Sequence, residues 1–229
     1  MNLPKSWCPQ KKSFHGCRAV PSGRITQSLK NKRVLITAGP TREFLDSVRF
    51  FSNASSGKMA LCLAESFKKL GAKGFVVCGP GVVPGAGTPH CRGTSASEMF
   101  REVKRRFPSV QVFVSAAAVC DYRPKVKALR KIPKSGSSLQ VQLVRNPDIL
   151  AEMSRIKKKQ FCLGFALEDT RPLKNAFAKL RAKKCDLVVL NSPQAMESDL
   201  TQPPLIFPSG RSVKLGRIPK KTCADKISR

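Results

Sequence analysis

The sequence predicts an α/β fold: a doubly wound, mostly parallel sheet with an additional β-arm or hairpin. Three observations carry this expectation. Apolar runs without polar alternation, such as "RVLITA" and "VQVFVSAAAV", read as strands covered on both faces. They alternate with segments of helical character, the rhythm of successive βαβ units. With 229 residues and 41% hydrophobic content, the chain can fill one sizeable core.

Each element follows in order. Residues 1–30 form a basic, proline-containing stretch without periodicity, read as a flexible tail, and the organised domain spans 31–229. Arg33–Ala38 is the first strand, and Met59–Leu70 is a helix closed by Gly71, where a left-handed cap is expected. An ordinary strand-to-helix connection takes roughly two to six residues, so the polar insert "GPTREFLDSVRFFSNASSGKMA" is unusually long. "GFVVCGP" gives a second strand, and Ser95 with Glu98 forms a capping box for a helix ending near Phe107. "VQVFVSAAAV" is the third strand. A Pro/Lys/Gly-rich arm then leads to an alternating "LQVQLV" strand. The remainder reads as helix "NPDILAEMSRIKKK", strand "FCLGFAL", helix "LKNAFAKLRAKK" and strand "DLVVLN". A hairpin turning at Ser209-Gly210 and a closing helix "KKTCADKIS" complete a Rossmann-like arrangement.

Composition narrows the function. Forty-three Lys+Arg against 14 Asp+Glu give a net charge of +29, which attracts polyanions and phosphorylated molecules without naming one. No apolar run approaches the roughly 18 residues a membrane helix needs, and the N-terminus lacks the apolar centre of a secretory signal. The nine cysteines are odd in number, lack C-x-x-C spacing and sit partly inside apolar runs. They fit reduced thiols and a cytoplasmic protein. With His15 and His90 as the sole histidines, neither a histidine triad nor a zinc site has support.

In a doubly wound sheet, ligands bind beyond the carboxyl ends of the strands. That rule gathers Gly39-Pro-Thr-Arg42, Gly79-Pro80, Ala116–Ala118 with Asp121, Ala166–Glu168 and Asn191 along one rim. "NASSGKMA" fails as a P-loop, because Ser52 stands at its first glycine position and Met59 at its hydroxyl position. No G-x-G-x-x-G follows the first strand. The Ser/Gly segment reads equally as an anion site at a helix N-terminus or as an ordinary capped helix. In "RKIPK", Lys131 and Lys134 belong either to a solvated loop or to a clamp over a phosphate.

In this order and spacing, "ITAGPTREFLDSVRFFSNASSGKMA", "SAAAVCDYRP", "KIPK", "VRNPDIL" and "GFALE" resemble the phosphopantothenoylcysteine synthetases of the bacterial, CTP-dependent type. The resemblance covers about residues 31–229. It implies a ligase of coenzyme A biosynthesis that couples 4′-phosphopantothenate to cysteine through an acyl-cytidylate, with CTP yielding CMP and pyrophosphate. By position, it implies that Lys131 neutralises the leaving pyrophosphate, while Asn53 and Arg49 hold the acyl-cytidylate and orient its carbonyl. Ser115, Ala116 and Ala117 would present backbone to the nucleotide, and Asp121 would fix it. Val144, Arg145, Asn146, Pro147 and Phe165 would complete the cytidine pocket, with Lys179 and Lys183 on the following helix.

Magnesium is expected with CTP, held mainly by phosphates and water rather than by a dedicated protein metal site. A homodimer is also implied, with the Pro/Lys loop and the "LQVQLV" arm reaching toward the partner. The sequence departs from the pattern at Pro133, where lysine is usual, and at Asp169, where threonine is usual. With no flavin-binding decarboxylase half before residue 31, the expectation is a stand-alone synthetase. The competing class is a basic nucleic-acid-binding protein. Only 7% aromatic content leaves few stacking platforms, so nucleic acid is the weaker expectation.

Overall fold

The computed structural model describes residues 28–195 and 198–229. In chain order its elements are β1 (Arg33–Ala38), β2 (Arg42–Phe44), β3 (Phe50–Ser52), α1 (Lys58–Lys69), β4 (Lys73–Cys78) and β5 (His90–Arg92). Then come α2 (Ala96–Arg106), β6 (Val112–Ser115), β7 (Tyr122–Pro124), β8 (Leu143–Arg145), α3 (Ile149–Ile156) and β9 (Phe161–Leu167). The chain closes with α4 (Pro172–Ala182), β10 (Leu187–Asn191), β11 (Leu200–Thr201), β12 (Pro204–Ile206), β13 (Ser212–Lys214), β14 (Ile218–Pro219) and α5 (Lys220–Ile227). Most of the tail expectation lies outside the described residues. Leu29, at its end, donates its amide to Leu70 O at 2.9 Å and packs on the core.

Eight strands form one sheet in the order β13-β12-β10-β9-β6-β1-β4-β5. From β10 to β5 all neighbours are parallel, whereas β12 and β13 run antiparallel at one edge. The chain therefore moves outward from β1 through β4 to β5, returns to β6, and continues through β9 to β10. This is the mostly parallel, Rossmann-like order expected, and its direction reverses between β1 and β6.

β1 shows why the sheet has two covered faces. Val34, Ile36 and Ala38 enter a core with Leu63 and Phe67 of α1 and Ala224 of α5. Leu35 enters the opposite core with Met99 and Val103 of α2, Met153 of α3 and Leu180 of α4. Strand periodicity of two sends neighbouring side chains to opposite layers. Two helix starts follow the sequence closely. Ser95 Oγ accepts from Glu98 N at 3.2 Å, with Glu98 reaching back to Ser95 N, and Asp148 caps α3 by accepting from Ala151 N at 3.0 Å.

Three expectations need correction. The third strand stops at Ser115 rather than running on through the alanines, because the chain there turns to bond with the segment after β1. Of "LQVQLV", only Leu143 and Val144 enter a strand, paired with β7. Its earlier residues find no ladder, and Leu139 is exposed. The long insert is not plain loop, for it contains the β2–β3 hairpin. Among the described residues, no helix is long and apolar enough to cross a membrane.

Candidate active site

Close backbone packing brings the start of α1 against the end of β1. Gly39 and Gly57 have φ of +80° and +72°, and a Cβ on Gly57 would lie 3.2 Å from Gly39 N. At the end of β4, a Cβ on Gly79 would lie 1.8 Å from Pro40 O, so only glycine fits. Gly57 precedes α1 as its N-cap, with no side-chain cap bond, and the first turn carries no acidic residue. Its amide dipoles therefore face outward beyond β1.

The segments after β1 and β6 are bonded together at the switch point. Ala118 N donates to Gly39 O at 2.9 Å, and Ala117 N donates to Thr37 Oγ1 at 3.2 Å. Cys120 N donates to Thr41 Oγ1 at 3.0 Å, while Ser52 Oγ donates to Thr41 O at 2.8 Å. Asn53 Nδ2 donates to Ala118 O at 3.2 Å and Val119 O at 3.1 Å. The resemblance implies that Asn53 orients the carbonyl of an acyl-cytidylate. In the fold both donor contacts go to the neighbouring loop, and Oδ1 is the remaining polar atom.

Above this junction lies a cavity of about 490 Å³, and a smaller one of about 140 Å³ adjoins it. The larger is lined by Asn53–Ala60, Ala116–Val119, Asp121, Phe165–Leu167, Lys179, Asn191, Ala195 and Lys220. The smaller adds Ser115, Asn146, Pro147 and Lys183. Ala117, Val119, Asp121, Phe165 and Lys179 line both, which makes one continuous groove. The fold thus assembles most of the expected site residues from five separate segments.

Val144 and Arg145 do not line either cavity; they form β8 opposite Arg123 and Tyr122. Their role here is support. Arg123 Nη1 donates to Arg145 O at 2.7 Å and Asn146 Oδ1 at 3.1 Å. Asn146 then donates through Nδ2 to Cys120 O at 2.8 Å and through its backbone N to Asp121 O at 2.8 Å. This network sets Asp121 at the junction of the two cavities.

Lys183 pairs with Asp148 at 2.6 Å. Burial acts to raise the Asp148 carboxyl, but Lys183 and the Ala151 amide outweigh it and hold the group below its ordinary value. Lys179 is half-buried, and desolvation, with Lys183 beside it, lowers its pKa. A partly desolvated cation facing a cavity is poised to gain an anionic partner.

Arg49 and Lys131 also lie outside both linings. Arg49 donates to Asp46 Oδ2 through Nε at 2.9 Å and Nη2 at 2.6 Å, and to Ile132 O at 2.8 Å. Asp46 is fully buried and also accepts from the amides of Val48, Arg49 and Ile132. The Arg49 amide, helped by its guanidinium and the other two amides, holds this carboxyl well below the usual carboxylate range. Arg49 therefore pins the β2–β3 turn to the loop carrying exposed Lys131 and Lys134.

Two cavity lysines were missed. Lys58 was visible only as the Gly-Lys step of the failed P-loop, and Lys220 comes from the far end of the chain through α5 packing on α1. Lys58 pairs with Asp199 at 2.8 Å, and Asp199 O accepts from Lys220 N at 2.9 Å. Lys220 is buried, and desolvation, then the nearby Lys58 charge, lowers its pKa. Among the described residues, no group of three or more His, Cys, Asp or Glu gathers as a metal centre.

Residues 29–229 match the DNA/pantothenate metabolism flavoprotein C-terminal domain family. The chain is 42% identical over 167 residues to the coenzyme A biosynthesis bifunctional protein CoaBC of Vibrio cholerae, covering 71% of this chain and 42% of that protein. It is 38% identical over 169 residues to the protein of the same name in Bacillus subtilis, covering 73% of this chain and 42% of the relative. The chain thus spans about two fifths of the length of these curated relatives. Among solved structures, it is similar to the C-terminal domain of coenzyme A biosynthesis bifunctional protein CoaBC, with a TM-score of 0.75 and 35% identity. That match covers 87% of this chain and 93% of the other.

Proposed function

The chain belongs to the DNA/pantothenate metabolism flavoprotein C-terminal domain family, and on that premise we propose that it joins 4′-phosphopantothenate to cysteine in coenzyme A biosynthesis. The observation that carries the reading is the groove at the β1/β6 switch point. It combines small residues for close backbone approach, the carboxylates of Asp121 and Asp148, and lysines from both sides.

In the first step, a carboxylate oxygen of 4′-phosphopantothenate attacks the α-phosphorus of CTP. The bond to pyrophosphate breaks and an acyl-cytidylate forms. In the second, the cysteine amine attacks the acyl carbon, the acyl–oxygen bond breaks, CMP departs and the nitrogen loses a proton to solvent. Neither step needs a protein nucleophile; positioning and positive charge suffice. Phe165, Asn146 and Pro147 would hold the nucleotide with the backbone of Ser115–Ala117, while Lys179 and Lys183 would face its phosphates. Asn53, with its Nδ2 engaged at the loop junction, would use Oδ1 to accept from the attacking amine.

The donor set fits magnesium arriving with the nucleotide, since such ions keep waters and need only one or two carboxylates beside the phosphates. Asp121 would hold the ion, which would neutralise developing charge on the triphosphate. Lys131 would act on the leaving pyrophosphate from a neighbouring copy of the chain. Its loop lies outside the lining and carries exposed Val126 and Leu129, next to exposed Tyr122, Leu139 and Leu143 on the β7–β8 arm. An apolar surface of this kind favours a homodimer. A reducing cytoplasm suits the free cysteines, of which Cys78 and Cys185 are pushed by burial to about 11 and Cys223 to about 12.

The nucleotide choice is tested by pyrophosphate release with CTP or ATP in the presence of 4′-phosphopantothenate and magnesium. Release that requires both substrates and favours CTP is expected. Release with ATP alone as the productive nucleotide would overturn the cytidylate route.

A further inference from the structure

The insert that carries Asn53 is fastened to the protein at a point outside the groove. α2 closes its own start with a capping box that serves the amides of Thr94, Ser95 and Glu98. The amide of Ala96, the first residue of the helix, donates instead to Glu43 Oε1 at 2.9 Å, 53 positions away in the chain. Arg42 N adds a second bond, to Thr94 O at 2.8 Å. Glu43 is 3% exposed and lines neither cavity, so it is a buried carboxylate that the groove chemistry does not use. Such a charge is costly to bury, and a helix N-terminus is one environment that stabilises it.

We propose that Glu43 is a positioning residue for Asn53, acting through the β2–β3 ladder. This rests on the ligase reading above and adds what fixes Asn53 in place. In that ladder Glu43 stands opposite Phe51, and Arg42 opposite Ser52, the residue before Asn53. Thr41, which leads into β2, accepts from Cys120 N through Oγ1 and from Ser52 Oγ through its carbonyl. The tether to α2 thus sets both the strand that ends beside Asn53 and the loop whose Ala118 and Val119 carbonyls receive its amide. β3 is exposed along its length, so its own packing does not hold it. A displacement of about 1 Å at a reacting group can cost on the order of a hundredfold in rate. A charge-assisted bond to α2, itself anchored in the core by Met99 and Val103, resists such a displacement.

The test pairs kinetics with amide hydrogen exchange on the whole protein. Glu43→Met keeps the side-chain volume and removes the acceptor, whereas Glu43→Gln keeps an acceptor oxygen. Glu43→Met should lower kcat for amide formation by about tenfold or more without raising KM for CTP. Glu43→Gln should stay within about threefold of wild type. In an Asn53→Ala background, Glu43→Met should lower kcat by less than about twofold, because the group it positions is gone. Exchange without substrates should quicken at Arg42, Ala96 and Cys120 in Glu43→Met and stay unchanged along α1. Should Glu43→Met not fold, Ala96→Pro removes the same bond from the helix side, where proline is tolerated, and decides alone. An unchanged kcat in the folded variant, an equal loss in Glu43→Gln, or the full loss on top of Asn53→Ala would overturn the assignment. Absence of wild-type turnover would instead defeat the ligase reading, and unchanged exchange at Arg42 and Cys120 would then overturn the tether.

Discussion

The amide of Ile132 donates to the buried carboxylate of Asp46 at 3.1 Å, although the two residues are 86 apart in sequence. Arg49 closes the same contact from the other side through Ile132 O at 2.8 Å. Ala128 N donates to Leu45 O at 2.9 Å, and Lys127 lies over the Phe44 ring at 5.0 Å. The turn of the β2–β3 hairpin and the lysine loop are therefore one structural unit.

Asp46→Asn should loosen both partners together, raising amide exchange in residues 45–49 and 128–134. The pH dependence follows from the lowered Asp46 pKa, set first by the Arg49 amide and reinforced by its guanidinium. A carboxylate depressed in the folded state contributes stability above its ordinary value of about 3.9. That stability disappears only as pH falls through the depressed folded value. Protection of the two segments in wild-type protein should survive mild acid, and its loss already near about pH 5 would contradict the linkage.

Asn53 ties the two switch-point loops, so Asn53→Asp places a carboxylate against the carbonyls of Ala118 and Val119. A loss of about 1–2 kcal/mol in stability is expected from the broken donor contacts. The acceptor survives but its orientation does not, so amide formation should slow on the order of a hundredfold. Mass spectrometry of quenched mixtures should show acyl-cytidylate accumulating. A variant that folds yet forms no intermediate would move Asn53 into the first step.

The proposed supply of Lys131 from a neighbouring copy would make the site composite. Lys131→Gln and Asp121→Asn chains should each be inactive alone, and mixing them should restore up to about a quarter of wild-type activity in heterodimers. Mixtures that stay inactive despite subunit exchange would place Lys131 over its own groove.

Burial and the Lys183 charge lower the Lys179 pKa, against the opposing pull of Glu168 and Asp148. A lysine shifted down loses its charge at lower pH than an ordinary one. CTP affinity should therefore be full below that shifted value and fall as pH rises through it. Lys179→Met should weaken CTP at neutral pH and remove the alkaline decline. An unchanged decline in this variant would assign it to another group.

The sheet was legible because its strands are continuous apolar runs and its helices carry local signals, such as Ser95 with Glu98 and the cap at Asp148. The rim was legible because a doubly wound sheet puts the ends of β1, β6 and β9 together. Non-local contacts were not. Arg49 looked like a substrate ligand four residues from Asn53, yet its bonds go to Asp46 and Ile132. Val144 and Arg145 looked like pocket lining, but the short β7–β8 ladder turns them into support. Lys220 carries no motif, and only the packing of α5 brings it to the groove. The hairpin of β2 and β3 was hidden by its brevity and by its exposed second strand.

The most direct test of the ligase reading is the balance of products when purified protein meets CTP, 4′-phosphopantothenate, cysteine and magnesium. Mass spectrometry should show phosphopantothenoylcysteine, CMP and pyrophosphate rising in equal amounts, with no amide formed when any one substrate is withheld. Absence of the amide product from folded protein that still binds RNA tightly and with steep salt dependence would contradict the account and favour a nucleic-acid-binding protein instead.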